Sequence, residues 1–204
     1  MDLVPSLTVV VERGFFSHEM EWQDALVQLA SLLPALPGLQ VQARSKKSRT
    51  DREWAATNLL LSPRLRLNAA LRETTAQGYP FVHHPERDCP GSPVSHSFGA
   101  SAHSLLAARK AERAGAQYVQ FGPVFPPRSK PGAGLGLGPL RQVAAALSIP
   151  VIAVGGMTPE RAAQCIGAGA GGVACISHVL QAKDRQAAAA ELLDAMAAGP
   201  TGRS

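Results

Sequence analysis

From residue 118 onward, short apolar runs alternate with stretches whose apolar positions recur every three to four residues. YVQFGPVF (118–125), PVIAV (150–154) and GVACIS (172–177) are nearly continuous in apolar character. A strand covered on both faces reads this way, whereas a half-buried one alternates. Residues 137–147, 158–167 and 181–198 instead carry helical spacing. Thr158, Pro159 and Glu160 mark a helix start, with a capping hydroxyl, a proline where no N–H is needed, and an acid at the positive end. Gly167 and Gly169 are placed to close that helix in a left-handed turn. Strand and helix in strict alternation specify a parallel sheet wrapped by helices.

The first half carries a fainter form of the same pattern. Strands are expected at 7–11 (LTVVV), 39–44 (LQVQAR), 65–68, 80–84 and 94–98, and helices at 21–33, 51–60, 69–77 and 101–114. Eight strand–helix pairs predict an α/β chain folded as a single (β/α)8 TIM barrel over residues 1–199, with a flexible tail at 200–204.

Composition narrows the function classes. The 204 residues are 46% hydrophobic and 17% charged, enough for one domain with its own core. No apolar run approaches the roughly 20 residues that cross a membrane. Asp2 precedes the first apolar stretch without a basic segment, so no secretory leader is expected and the cytoplasm is the expected location. Cys89, Cys165 and Cys175 have no metal-like spacing, and the last two read as small buried hydrophobes. A formal charge of +5 favours anionic ligands. With two Trp and two Tyr and no interleaving of aromatic with basic residues, small phosphorylated metabolites are a better match than nucleic acid. A homo-oligomer is left open.

In a barrel of this kind the loops after the strands build the site, and the last strands commonly grip phosphate. GPVFPPRSK (122–130) offers Arg128, Ser129 and Lys130 on a proline-stiffened loop. Gly155-Gly156 lets an oxyanion approach backbone N–H groups, although two glycines equally serve a tight strand-to-helix turn. Ile176-Ser177 follows the eighth strand into a helix start. In the basic run RSKKSRTDR (44–52), Lys47, Arg49 and Arg52 are expected in solvent, while Arg44 and Lys46, two apart at a strand end, point into the mouth together. Lys46 is also the one candidate for a Schiff-base lysine. His83, His84, Cys89 and His96 do not read as a zinc site, because adjacent histidines on a strand face opposite sides; His83 is expected as a polar group at the barrel mouth.

These segments carry a family resemblance. GPVFPPRSK, PVIAVGGMTPE and GAGAGGVACIS resemble thiamine phosphate synthase and its relative, the TenI-type thiazole tautomerase. Gly99 to Ser104 resembles the family's Gly-x-Ser-x-His-Ser/Thr segment, and Gln42-Ala43-Arg44-Ser45-Lys46 its Gln-x-Arg-x-Lys strand end. The resemblance implies a transferase that joins 4-amino-2-methyl-5-pyrimidinylmethyl diphosphate to a thiazole phosphate and releases pyrophosphate by a dissociative path. It implies that Gln42, Arg44, Lys46, Asn68, Ser101, Ser129 and Lys130 hold the pyrimidine and its pyrophosphate, with Ser101 and Lys130 catalytic. Gly156, Ile176 and Ser177 would hold the thiazole phosphate.

The cofactor implied is Mg2+, and here the chain departs from the pattern. The family's Asn-Asp after the third strand reads Asn68-Ala69, and its His-x-Gly-Gln-x-Asp reads His83-His84-Pro85-Glu86-Arg87-Asp88. Asp88 matches the second metal-binding acid, with Glu86 as a stand-in for the first. A methyl group cannot hold a hard cation, so metal affinity is expected to fall. Pro127 replaces the first Thr of the phosphate loop, and Pro123 stands where the tautomerase has a His. Three readings follow: the synthase, a tautomerase, and a non-catalytic sensor that keeps the phosphate grip without the metal.

Overall fold

The computed structural model describes residues 7–46, 48–59, 64–69, 81–126 and 132–199. Eight parallel strands close a barrel in sequential order: β1 (Leu7–Glu12), β2 (Leu39–Arg44), β3 (Leu65–Asn68), β4 (Phe81–His84), β5 (Ser97–Ala102), β6 (Tyr118–Phe121), β7 (Val151–Val154) and β8 (Gly172–Cys175). Pairing of Leu7 with Val173 closes the ring. The described helices are α1 (Glu19–Ser31), α2 (Arg49–Leu59), α3 (Leu105–Arg113), α4 (Leu137–Ala146), α5 (Pro159–Gly167), α6 (Ser177–Leu180) and α7 (Arg185–Ala198). The helix expected over 69–77 lies, beyond Ala69, outside the described residues, as does the tail at 200–204.

Most differences from the sequence pattern lie at element ends. The fifth strand runs over Ser97–Ala102 rather than 94–98, and Ser104, not Ser101, caps the next helix by accepting the Ala107 N–H. The small residues of that strand have little β propensity. They are held extended because Phe81 to His84 on one side and Tyr118 to Phe121 on the other supply complete ladders. The helix expected over 181–198 begins only after Asp184, whose side chain accepts the Ala187 N–H, and the short α6 precedes it at Ser177–Leu180. Gly169, at φ +92°, makes the left-handed turn after α5, not Gly167. The Thr158 cap is as expected, its hydroxyl accepting from Arg161 N. Cys165 and Cys175 are buried, and burial pushes both thiols up to about 12.

Alternation along the strands sorts side chains into two cores. Val9, Val41, Leu67, Val82 and Val119 face outward and pack under helical residues such as Trp22, Leu26, Leu140 and Leu192. The Trp22 indole N–H donates to Val11 O at 2.9 Å, and its ring lies 6.1 Å from that of Trp54. Inside the barrel the apolar cluster is small, consisting of Val10, Tyr118, Ile152 and Ala174. Much of the remaining interior is polar: Thr8, Glu12, Gln40, Gln42, Arg66, His83 and Gln120 are all buried.

Two glycines make room for this filling. A Cβ on Gly99 would fall 2.2 Å from Tyr118 Cζ, so its absence lets the tyrosine ring lie flat across the strand. A Cβ on Gly122 would meet Val154 O at 2.1 Å, which is how the β6 loop seats against β7. Replacing Gly99 by Ala should therefore cost about 1–3 kcal/mol of unfolding free energy through overpacking. Gly138→Ala, in open space on α4, should be neutral or stabilising by up to about 1 kcal/mol. Urea unfolding of the two variants beside the wild type measures both.

Candidate functional site

The C-terminal ends of β1 to β3 bring opposite charges together. Glu12 and Arg44 are register partners and both project inward. Arg44 Nη1 lies 3.0 Å and Lys46 Nζ 3.6 Å from Glu12 Oε2. The oxygen is held by charge proximity rather than by an aligned hydrogen bond. Arg44 and Lys46 thus meet as expected, but on a buried carboxylate that the apolar run LTVVVE had concealed. Behind them α2 braces the loop: Ser45 Oγ donates to Asp51 Oδ2 at 2.8 Å, and Arg52 Nη1 donates to Ser45 O at 2.7 Å. Arg52 was expected in solvent; it is half-buried because it holds this loop and lines the cleft. Arg49 is exposed and pairs with Glu53, while Lys47 lies outside the described residues.

Below the mouth runs a chain of polar rings. Arg66 stacks 3.8 Å over the Phe81 ring, and Phe81 stacks on Tyr118 with planes 4° apart. His83 then bonds Tyr118 Oη through Nδ1 at 3.1 Å and Ser101 Oγ through Nε2 at 2.9 Å. His83 is fully buried rather than open at the mouth. Burial, with Arg44 and His84 nearby, takes its pKa down to about 3. The ring is neutral and carries one proton, so one of the two hydroxyls donates to it and the other accepts. Burial pushes the Tyr118 phenol upward. Across the barrel, Gln120 Nε2 donates to Gln42 Oε1 at 2.7 Å, joining β6 to β2 beneath the mouth.

His84 faces the other way, as strand geometry requires. Its Nδ1–H donates to Ala69 O at 2.8 Å and its Nε2 meets His96 Nε2 at 3.1 Å. Burial lowers the pKa of both rings. With His84 neutral, the shared proton sits on His96.

On the opposite side, Gly155 (φ +106°) and Gly156 (φ +62°) pack against the β6 loop, where any Cβ would strike Pro123, Phe125 or Pro126 O. Arg161 Nη1 donates to Gly156 O at 2.7 Å and its guanidinium lies 4.9 Å from the Phe125 ring centroid. Ile176 precedes the four-residue α6, and Ser177 opens it. Arg128, Ser129 and Lys130 lie outside the described residues.

The donor set does not fit a resident hard cation. Ala69 presents a buried methyl, and its carbonyl is taken by His84. Glu86 Oε2 accepts the His103 backbone N–H at 2.7 Å, and Asp88 Oδ2 lies 3.3 Å from Arg87 Nε. Among the described residues no three His, Cys, Asp or Glu side chains are grouped to hold a metal.

A cleft of about 1550 Å³ opens over the ends of β2 to β5. Arg44, Lys46, Asn68, Glu86 and Asp88 all line it. Gln42, buried, and Ser101, half-buried, are outside its lining, and Gly156, Ile176 and Ser177 follow β7 and β8.

Residues 64–179 match the family model described as thiamine monophosphate synthase. The chain belongs to that family. It is 40% identical over 140 residues to the thiamine-phosphate synthase of Methanoculleus marisnigri, covering 65% of this chain and 66% of that one. It is 49% identical over 98 residues to the thiamine biosynthesis bifunctional protein ThiM/ThiE of Symbiobacterium thermophilum, covering 47% and 20% of the two chains. The chain thus spans a fifth to just under two thirds of these curated relatives. The solved thiamine phosphate pyrophosphorylase of Pyrococcus furiosus superposes with a TM-score of 0.71 at 25% identity, over 95% of this chain and 96% of that one.

For this thiamine monophosphate synthase family member, the neutral burial of His83 has a consequence for stability. Unfolded, the imidazole takes up a proton near its ordinary pKa of 6.5; folded, it does so only near 3. Stability should therefore fall as pH is lowered from about 6.5 towards 3, by up to about 1.4 kcal/mol per pH unit from this residue. Urea unfolding from pH 7 to 5 should show that slope, and His83→Asn should flatten it by about one proton.

Proposed function

We propose that the chain is a thiamine phosphate synthase, joining a pyrimidinylmethyl diphosphate to a thiazole phosphate in the cytoplasm. The carrying observation is the convergence of Arg44, Lys46 and Asn68 on one cleft at the strand ends. In this reading the methylene C–O bond breaks and the departing pyrophosphate keeps the electron pair. The thiazole nitrogen then supplies its lone pair to the methylene cation. No proton need move, which suits a site whose central imidazole is held neutral. Arg44 and Lys46 meet the charge as it grows on the leaving group. Ser101, oriented by His83, presents a hydroxyl to the same ligand. Gln42 and Gln120 form the floor under the pyrimidine; for Ser129 and Lys130, outside the described residues, a share in the anion grip is what the family resemblance implies. Gly156, Ile176 and Ser177 receive the thiazole phosphate. Pro123 occupies the place of the tautomerase histidine and supports transfer over isomerisation.

A coupling assay with purified protein and the two phosphorylated substrates, product followed by chromatography, tests this. Turnover is expected, and Arg44→Ala should lower kcat/KM about 100-fold or more. Isomerisation of the thiazole without coupling would establish the tautomerase, and thermal stabilisation by both ligands without turnover would establish a sensor.

A further inference from the structure

Five basic side chains line the cleft over β2 to β5, namely Arg44, Lys46, Arg52, Arg87 and Lys110, and they come from separate parts of the fold. Among the described residues two carboxylates line it with them, Glu86 and Asp88, and Glu12 lies beneath against Arg44 and Lys46. Neither Glu86 nor Asp88 is arranged as part of a cation cage. Glu86 is engaged by the backbone N–H of His103, and Asp88 is balanced by Arg87. At the end of β3, where the family resemblance implies an acid, the wall is the methyl of Ala69.

A carboxylate beside a polyanion is repulsive unless a metal sits between them. Removing that acid while keeping the ring of cations turns the cleft into a site that can hold a polyanion directly. We propose that pyrophosphate, free or as the leaving group of the substrate, is bound here by side-chain cations alone, with Arg52 and Lys110 adding to Arg44 and Lys46 what a carboxylate-held metal would supply. Arg52 brings a guanidinium already oriented by its bond to Ser45 O, and a guanidinium matches adjacent phosphate oxygens in a planar fork. Lys110 approaches from α3, near enough to Cys89 that its charge acts on the thiol. The proposal rests on the synthase reading for its place in the reaction, but the binding event stands apart from turnover.

The test is calorimetric titration of the full chain with inorganic pyrophosphate, first in EDTA and then with Mg2+. Saturable binding in EDTA is expected, tightened less than about threefold by Mg2+. Lys110→Ala should weaken binding about five- to tenfold. Arg113→Ala, exposed on the same helix and outside the cleft lining, should leave it unchanged. Arg52→Gln should also weaken binding, with its thermal unfolding recorded beside it to separate a loosened loop from a lost contact. Absence of binding without Mg2+, or full affinity in Lys110→Ala, overturns the proposal. Turnover with a strict Mg2+ requirement would leave the synthase standing and remove this inference. Binding in EDTA without any coupling would do the reverse.

Discussion

The flat seating of Tyr118 against Gly99 is the constraint on which the barrel interior turns. Because the ring lies across Gly99 of β5, it reaches both Phe81 and His83 of β4, and Arg66 lies over the Phe81 ring. Burying polar groups costs free energy unless they find partners. The stack runs from Arg66 through Phe81, Tyr118 and His83 and ends at the hydroxyl of Ser101. Gln42 and Gln120 act similarly across the barrel, so the floor of the mouth is tied to opposite strands. Such a floor is rigid for reasons of hydrogen bonding rather than of apolar packing.

Above that floor the organising force is charge. Glu12 sits between Arg44 and Lys46 and keeps two long side chains gathered where they would otherwise spread by repulsion. Arg13, Asp51, Ser45 and Arg52 extend the arrangement to α2, joining the first strands to their helix through alternating charges. On the opposite rim, close glycine packing and Arg161 fasten the β7 turn to the described part of the β6 loop.

The barrel was legible because its strands are buried on both faces and its helices carry caps. LQVQAR and LRLN form strands with the bounds their pattern indicates. Of SFGASA only Ser97 and Phe98 read as strand, since Gly99 to Ala102 carry no β-branched or aromatic side chain and are held extended by the neighbouring ladders. Arg44 and Lys46 were legible as strand-end polar residues, and Asn68 through the family resemblance. Glu12 and Gln120 were not, because each ends or interrupts an apolar run; counting two-residue steps inward from Thr8 and Tyr118 would have placed both inside. His83 was expected to face the barrel mouth and does face inward, but its full burial beneath Ser101 and Tyr118 was not legible.

Both tryptophans of the chain stand together, Trp22 bonded to β1 and Trp54 on α2, with ring centroids 6.1 Å apart. Their emission therefore comes from one place, the seam between α1 and α2, and the helix that carries Trp54 also carries Arg52. An optical signal from this protein is a local reading of how firmly α2 is seated, insensitive to the glycine-rich rim across the barrel. Nature has placed a built-in lamp on the charged side of the mouth alone.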